Sequence, residues 1–274
     1  MAHPFVLFFQ AASARTYPRV AWLFRSRSWM IQETILPILS VSAFAYSYQA
    51  MGAPPEFTGL LVLGAAMATF WLNVLWGMGA TVYWERDSGN LELYIMSPAP
   101  MMGILTGMAL GGMTTTVVRA SVITITGVVA FDVPLHPSSW WLLVAVFLLT
   151  LAALYGLGMM FASLFLLWGR EAWHLVNLLQ EPIYLMSGTN FPLAPILDRL
   201  AIRGLAVVVS ALPLATGMDA MRQVLFRTPG LFDVEIEVAV LAAMAVAFFF
   251  GARWLLRYLE NRARAEGKLT VRWQ

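Results

Sequence analysis

The sequence predicts an all-α integral membrane protein with six transmembrane helices, an N-terminal amphipathic helix and a re-entrant helical hairpin before the last span. Three observations carry that expectation. Hydrophobic residues make up 60% of the 274, charged residues only 12%, and the mean hydropathy is +0.73, against ~25% charge in ordinary soluble domains. The charges gather in short islands, leaving runs long enough to cross ~30 Å of hydrocarbon at about 20 residues each. Lys and Arg favour one alternate set of connections. Residues 1–274 read as one membrane domain, with no room for a large soluble module.

Residues 1–28 are expected to form the amphipathic entry helix, with Phe5, Phe8, Phe9 and Ala12 on one stripe. Arg15, Arg19, Arg25 and Arg27 then form a basic collar before the membrane. A cleaved leader is not expected, because the apolar stretch Phe5–Phe9 is short and no Lys or Arg precedes it.

The spans follow from the charge-free runs. The first lies in Thr34–Pro55, behind Gln32 and Glu33, and the second in Phe57–Trp84. The third lies in Leu93–Phe131, interrupted only by Arg119. The fourth lies in Val133–Gly169, bounded by Trp140, Trp141 and Trp168 as an aromatic belt would be. Ala172–Gly188 is the fifth and carries Glu181-Pro182; Val238 to about Leu256 is the sixth, ending in Trp254 and Tyr258. Gly204–Met218 is apolar but short and is punctuated by Pro213, so residues 189–230 are expected to form the re-entrant segment, with half-helices about Pro213. Arg199, Arg203, Arg222 and Arg227 flank it.

Six spans place both termini on one side. That side also holds Arg86, Arg170, Arg253, Arg257, Arg262, Arg264, Lys268 and Arg272, and is therefore expected to be cytoplasmic, in a cell inner (plasma) membrane.

The absences narrow the chemistry. There is no cysteine, hence no disulfide, thiolate metal site or cysteine nucleophile. No G-x-x-x-x-G-K-[ST] occurs, and Lys268 is the single lysine. His3, His136 and His174 are dispersed, and no H-E-x-x-H is present. Ser163, Ser187 and Ser210 lack a nucleophile-elbow context. The chain is therefore not expected to be an enzyme, to bind a cofactor itself or to bind nucleic acid.

The most informative island is E-R-D-S-G-N-L-E-L-Y-I-M-S-P from Glu85 to Pro98. Acids at its start and Ser97-Pro98 at its end suit a short helix stopped by proline. Leu91, Leu93 and Ile95 or Met96 offer apolar knobs, while Glu85, Asp87 and Glu92 offer carboxylates to arginines on a partner. Inside the membrane, an ionisable group costs roughly 2.5–3.5 kcal/mol on insertion scales and is a functional candidate by default. Glu181 stands ~14 Å into the fifth span, either as a structural hydrogen-bonding group beside the Pro182 kink or in transport. Arg119 stands ~24 Å along the third span, where it is expected to snorkel outward or to meet Asp132 or the re-entrant segment. Glu33 is expected at the interface. Gly107, Gly111 and Gly112 suit close helix packing.

Three motifs in order resemble the permease subunit of type-2 ATP-binding-cassette exporters. The first is similar to E-x-x-x-G-T-L-E-x-L-x-x-(S/T)-P, matched by Glu85, Gly89, Leu91, Glu92, Leu93 or Tyr94, Ser97 and Pro98, with Asn90 where Thr is usual. The second is similar to S-G-x-x-(F/Y)-P-L, matched by Ser187, Gly188, Phe191, Pro192 and Leu193. The third is similar to P-L-T-x-x-(M/L)-D-A-(L/M)-R, matched by Pro213, Leu214, Thr216, Met218, Asp219, Ala220, Met221 and Arg222, with Ala215 inserted. The resemblance implies a coupling loop at 85–98, including Arg86 and Asp87, and a cytoplasmic ATPase partner in two copies that binds ATP and Mg. It also implies a second permease copy, identical or related, and a translocation path along the second and fifth spans. Carried onto this chain, that path runs along Phe70, Trp71, Asn73, Trp76, Glu181, Tyr184 and Met186. Aromatics with methionine suit a hydrophobic or amphipathic cargo such as a drug, lipid or peptide. The alternative is an autonomous secondary transporter or channel in which Glu181 carries coupling protons.

Overall fold

The computed structural model describes residues 4–133, 135–168, 171–199 and 203–265. Arg170, Lys268, Arg272 and His3, named above, lie outside them, as do the side chains of Arg27, Arg86, Glu92, Ile95 and Arg203. Among the described residues the chain is helical throughout, without strands.

Helix α1 (Pro4–Arg25) is separated from α2 (Arg27–Ala50) by a single residue, Ser26. Next comes one long helical rod made of α3 (Pro55–Leu72), a π-helical segment (Asn73–Gly79) and α4 (Ala80–Asp87). The short α5 (Asn90–Met96) precedes the two longest central helices, α6 (Met101–Phe131) and α7 (Trp140–Trp168). Then follow α8 (Ala172–Met186), the short α9 (Ala194–Arg199) and α10 (Arg203–Val209), α11 (Pro213–Phe226) and α12 (Val234–Ala265).

Four of these pieces are long and apolar enough to cross a membrane: Pro55–Glu85, Met101–Phe131, Trp140–Phe165 and Val234–Leu259. They match the expected second, third, fourth and sixth spans and make the chain an integral membrane protein. The expected first and fifth do not reach that measure. In α2 a series of Ser, Tyr and Gln residues (Ser40, Ser42, Tyr46, Ser47, Tyr48, Gln49) dilutes the apolar content. Helix α8 has 15 residues, about 22 Å at 1.5 Å per residue, short of the ~30 Å of hydrocarbon.

The contacts give the bundle two ends. At the proximal end Trp173, at the start of α8, gathers Trp76, Tyr83, Trp84 and Phe165, with ring centroids 5.0–6.4 Å away. The segment 85–100 and the end of α7 lie here. At the distal end the Ser138 N–H donates to the Val224 carbonyl at 2.8 Å and the Tyr48 hydroxyl to the Asn190 carbonyl at 3.0 Å. Gly64 faces the Thr189 carbonyl so closely that a Cβ could not be placed there. Helix α7 runs alongside α12, with Gly156 against Phe248 and Gly251 against Met160, so the C-terminal ends of both helices point the same way. The core between the ends is built on Phe70, Trp71, Leu75, Met78, Leu105, Met108 and Phe165, all nearly inaccessible.

Helix α1 packs lengthwise on the first turns of α6. A Cβ on Gly103 would meet the Phe8 carbonyl at 3.0 Å, and one on Gly107 would collide with the Ala12 carbonyl. The small-residue face of α6 admits the backbone of α1. This corrects the depth assigned to Arg119. The first turns of α6 lie beside α1, so Arg119 reaches Glu33, at the proximal start of α2, as an ion pair. The ion pair places it with Glu33 rather than with Asp132 or the 189–230 segment, where it was expected.

Candidate functional site

The segment after α4 has a defined shape. Gly89 takes the left-handed conformation (φ 75°) that glycine adopts without a Cβ penalty, and turns the chain into α5. Ser97 is extended (ψ 144°), and its hydroxyl accepts from the Ala99 N–H at 3.2 Å, so α5 stops before Pro98. Glu85 and Asp87 close α4; the helix that follows begins at Asn90, so these acids do not open it as expected.

Glu85 turns into the chain instead of toward a partner arginine. Its carboxylate pairs with Arg15 of α1 and accepts from Asn90 at 2.9 Å and the Tyr94 hydroxyl at 3.0 Å. The Arg15 guanidinium also lies 5.5 Å from the Tyr94 ring centre. A carboxylate at the end of a helix faces the negative end of the helix dipole, and Arg15 offsets that. Leu91 is buried as well (1% exposed), whereas Leu93 (60%) and Met96 (74%) face outward with Trp84 and Asp87. Among the described side chains, the outer face of the segment therefore sets apolar Trp84, Leu93 and Met96 beside Asp87, Ser88 and Asn90.

Above it, Arg19 fills a role that the sequence did not reveal. Its guanidinium donates to the Gly77 carbonyl at 2.5 Å, the Met108 carbonyl at 3.1 Å and the Thr81 hydroxyl at 2.7 Å. Gly77 lies in the π segment, and its carbonyl also accepts from Thr81 at 2.6 Å. Where a helix changes pitch, carbonyls lose their regular backbone partner and take side-chain donors. Burial pushes the Arg19 guanidinium down to about 10, with the neighbouring Arg15 charge adding to the fall; it remains charged at neutral pH. Next to it the Tyr155 hydroxyl donates to Asn73 at 3.1 Å, within electrostatic reach of both Arg19 and Arg119. Glu33, Arg119, Tyr155, Asn73 and Arg19 thus form a polar belt across the proximal half of the bundle. Arg15 and Arg19 belong to this interior network, not to the basic collar expected of them.

The expected path residues divide. Phe70 and Trp71 pack into the chain's own core. Asn73 joins the polar belt. Trp76 donates to the Gln180 side-chain oxygen at 2.7 Å, Trp71 to the Gln180 carbonyl at 3.5 Å, and Gln180 in turn to Glu181 at 2.9 Å. These contacts and Trp173 hold α8 against the rod. Glu181 and Tyr184 line a cleft of about 340 Å³ between α2, α3 and α8. Met186 packs instead at the distal end, beside Leu193, Val209 and Ala215.

The residues of the second and third motifs come together at the distal end. Gly188 is left-handed (φ 60°) and its carbonyl accepts from Arg222, which is 2% exposed, so the second and third motifs meet directly. Arg222 is thus an interior group, not a surface flank of half-helices. Asp219 accepts from the Leu231 N–H at 2.5 Å, and Gln223 bridges Asp219, the Phe232 carbonyl and Glu237. Phe191 packs in the same distal cluster, half-buried Pro192 follows it, and buried Pro213 opens α11 at its first turn.

No family model matches the chain, and no curated protein is similar enough to count as a relative.

Proposed function

We propose that this chain is the membrane-spanning half of an ATP-driven exporter of the type-2 ATP-binding-cassette class, working as two permease copies with two ATPase subunits that carry ATP and Mg. On this reading both termini are cytoplasmic in the inner membrane, α2 and α8 complete a set of six spans, and 189–230 is a re-entrant segment on the far side. The observation that carries the reading is α5. It is a seven-residue helix set off by a left-handed glycine and a Ser-Pro stop, with Leu93 and Met96 facing outward beside Asp87. A cleft on an ATPase can seat such a knob, and closure of that cleft would move α4 and α6 as rigid bodies. The Glu85–Arg15 pair would carry the same push to α1. Exposed Leu36 and Leu39 on α2, with Leu178 and Leu185 on α8, supply an apolar face for a second copy or for lipid.

The test is affinity purification of the tagged chain from its native membrane in mild detergent, beside a Leu93→Asp/Met96→Asp variant. A co-purifying ATPase that the variant loses supports the reading; a chain that elutes without ATPase activity in both preparations overturns it. A second reading, the autonomous secondary transporter, draws on Glu181, which opens on the α2–α3–α8 cleft without a basic partner among the described residues. Proton-dependent uptake by the chain alone, abolished in Glu181→Gln, would favour it.

A further inference from the structure

We infer that the cleft between α2, α3 and α8 is a binding site for amphipathic organic monocations, with Glu181 as the charge-recognising group. The inference deepens the transport reading above and rests on it for what happens to the ligand after binding.

The cleft is walled by apolar side chains from three helices, among them Val41 and Phe44 of α2, Leu61 and Leu72 of α3, and Tyr184 of α8. Its volume of about 340 Å³ lies within the ~300–1,000 Å³ of small-molecule sites. Leu36, Phe44 and Leu72 at its rim are partly exposed (63%, 42% and 40%), so the cleft is open along one side to whatever surrounds the helices. An apolar body can enter there without crossing the bundle.

Charge decides the ligand class. Glu181 is the one carboxylate among the residues lining the cleft, and no Lys, Arg or His lines it. It is also held in place. Trp76 fixes the side-chain oxygen of Gln180, and the Gln180 amide then donates to one oxygen of Glu181. The second carboxylate oxygen has no protein donor among the described residues. A carboxylate facing an apolar cleft in a membrane protein repels anions and gains nothing from a neutral hydrocarbon. A cation with an apolar body satisfies both the charge and the walls. The Phe44 and Tyr184 rings add aromatic faces suited to such a charge. A bare metal ion fits poorly: the described residues bring no three His, Cys, Asp or Glu together anywhere, and Glu181 is the single carboxylate in the lining.

The test uses the purified full-length chain in lipid nanodiscs and two ions of the same shape, tetraphenylphosphonium and tetraphenylborate. The wild type should bind the phosphonium saturably and the borate at least tenfold more weakly. Glu181→Gln should weaken phosphonium binding at least tenfold without weakening the borate. Ser40→Trp, which fills the cleft from the α2 side, should abolish saturable phosphonium binding with Glu181 intact. Should Glu181→Gln fail to fold, Glu181→Asp against Ser40→Trp gives the same contrast, with binding kept in the first and lost in the second. Phosphonium binding that ignores both Glu181 and Ser40 would overturn the inference and signify partition into lipid. The arms separate this site from the exporter reading. Binding through Glu181 in a chain that engages no ATPase keeps the site and removes the exporter. An ATPase-engaged chain whose phosphonium binding ignores Glu181 does the reverse.

Discussion

Arg19 of α1 donates to the Gly77 carbonyl at 2.5 Å, so the first helix closes the hydrogen-bond account of a π segment nearly sixty residues away in the chain. The same guanidinium holds the Met108 carbonyl of α6. One side chain thereby joins three elements: the entry helix, the rod that begins at Pro55, and the helix that follows α5.

Removing it should be costly. Arg19→Met leaves the Met108 carbonyl without its side-chain donor and takes one of two donors from Gly77, and a lost buried partner costs about 1–3 kcal/mol each. Thermal unfolding in detergent should show a clear loss, and Arg19→Lys should restore only part of it, since one ammonium nitrogen does not span the acceptors that the two guanidinium nitrogens reach separately.

The pH dependence of that effect follows from the sign of the shift. The folded-state value of about 10 lies below the ordinary arginine value, so the unfolded chain binds more protons only between the two, and stability from this group rises with pH there. Between pH 6 and 8.5 the stability difference between wild type and Arg19→Met should be flat. A slope in that window would show that another group titrates with it.

The Glu33–Arg119 pair should behave as a coupled unit. Each single change, Glu33→Gln or Arg119→Met, removes the ion-pair partner of a partly buried charge and should cost about 1–3 kcal/mol. The double variant Glu33→Gln/Arg119→Met should lose less than the sum of the two, and a double-mutant cycle on unfolding midpoints measures the coupling.

Gly64→Ala should damage folding, because its Cβ would run into the Thr189 carbonyl, and overpacking of this kind costs about 1–3 kcal/mol or more. Gly204→Ala is the control, with open space around its Cβ position. Expression and monodispersity in detergent should fall for the first and hold for the second.

Leu93→Asp/Met96→Asp should leave unfolding within about 0.5 kcal/mol of the wild type, since both side chains are exposed and touch none of the core. Any effect on a bound ATPase then reflects docking rather than stability.

Helix positions were readable because charge-free runs and aromatic ends are properties of composition along the chain. The distal turn was legible only as two short motifs, around Gly188 and Arg222; that they meet, with Arg222 inside, was not, because an arginine near an apolar segment reads equally well as a flank. The polar belt was not legible. A π segment has no sequence signature, so nothing marked the Gly77 carbonyl as an acceptor or Arg19 as its donor. An arginine on an amphipathic helix looks the same whether it faces headgroups or a neighbouring helix. Residue number along the third span puts Arg119 too deep, because position in sequence does not show that α1 lies beside the first turns of α6. The internal engagement of Glu85 escaped for the same reason, since its partner Arg15 stands seventy residues away.

The π winding of Asn73–Gly79 also sets the phase of everything after it. In an α-helix each residue advances about 100° around the axis, so a rod that drops one residue in this stretch and reverts to regular pitch would swing α4 by about that angle. Glu85 would then leave Arg15, Gly89 would turn the chain in another direction, and α5 would present a different side. The bearing of the proximal tip is therefore dialled in the middle of the rod, several turns from the tip itself.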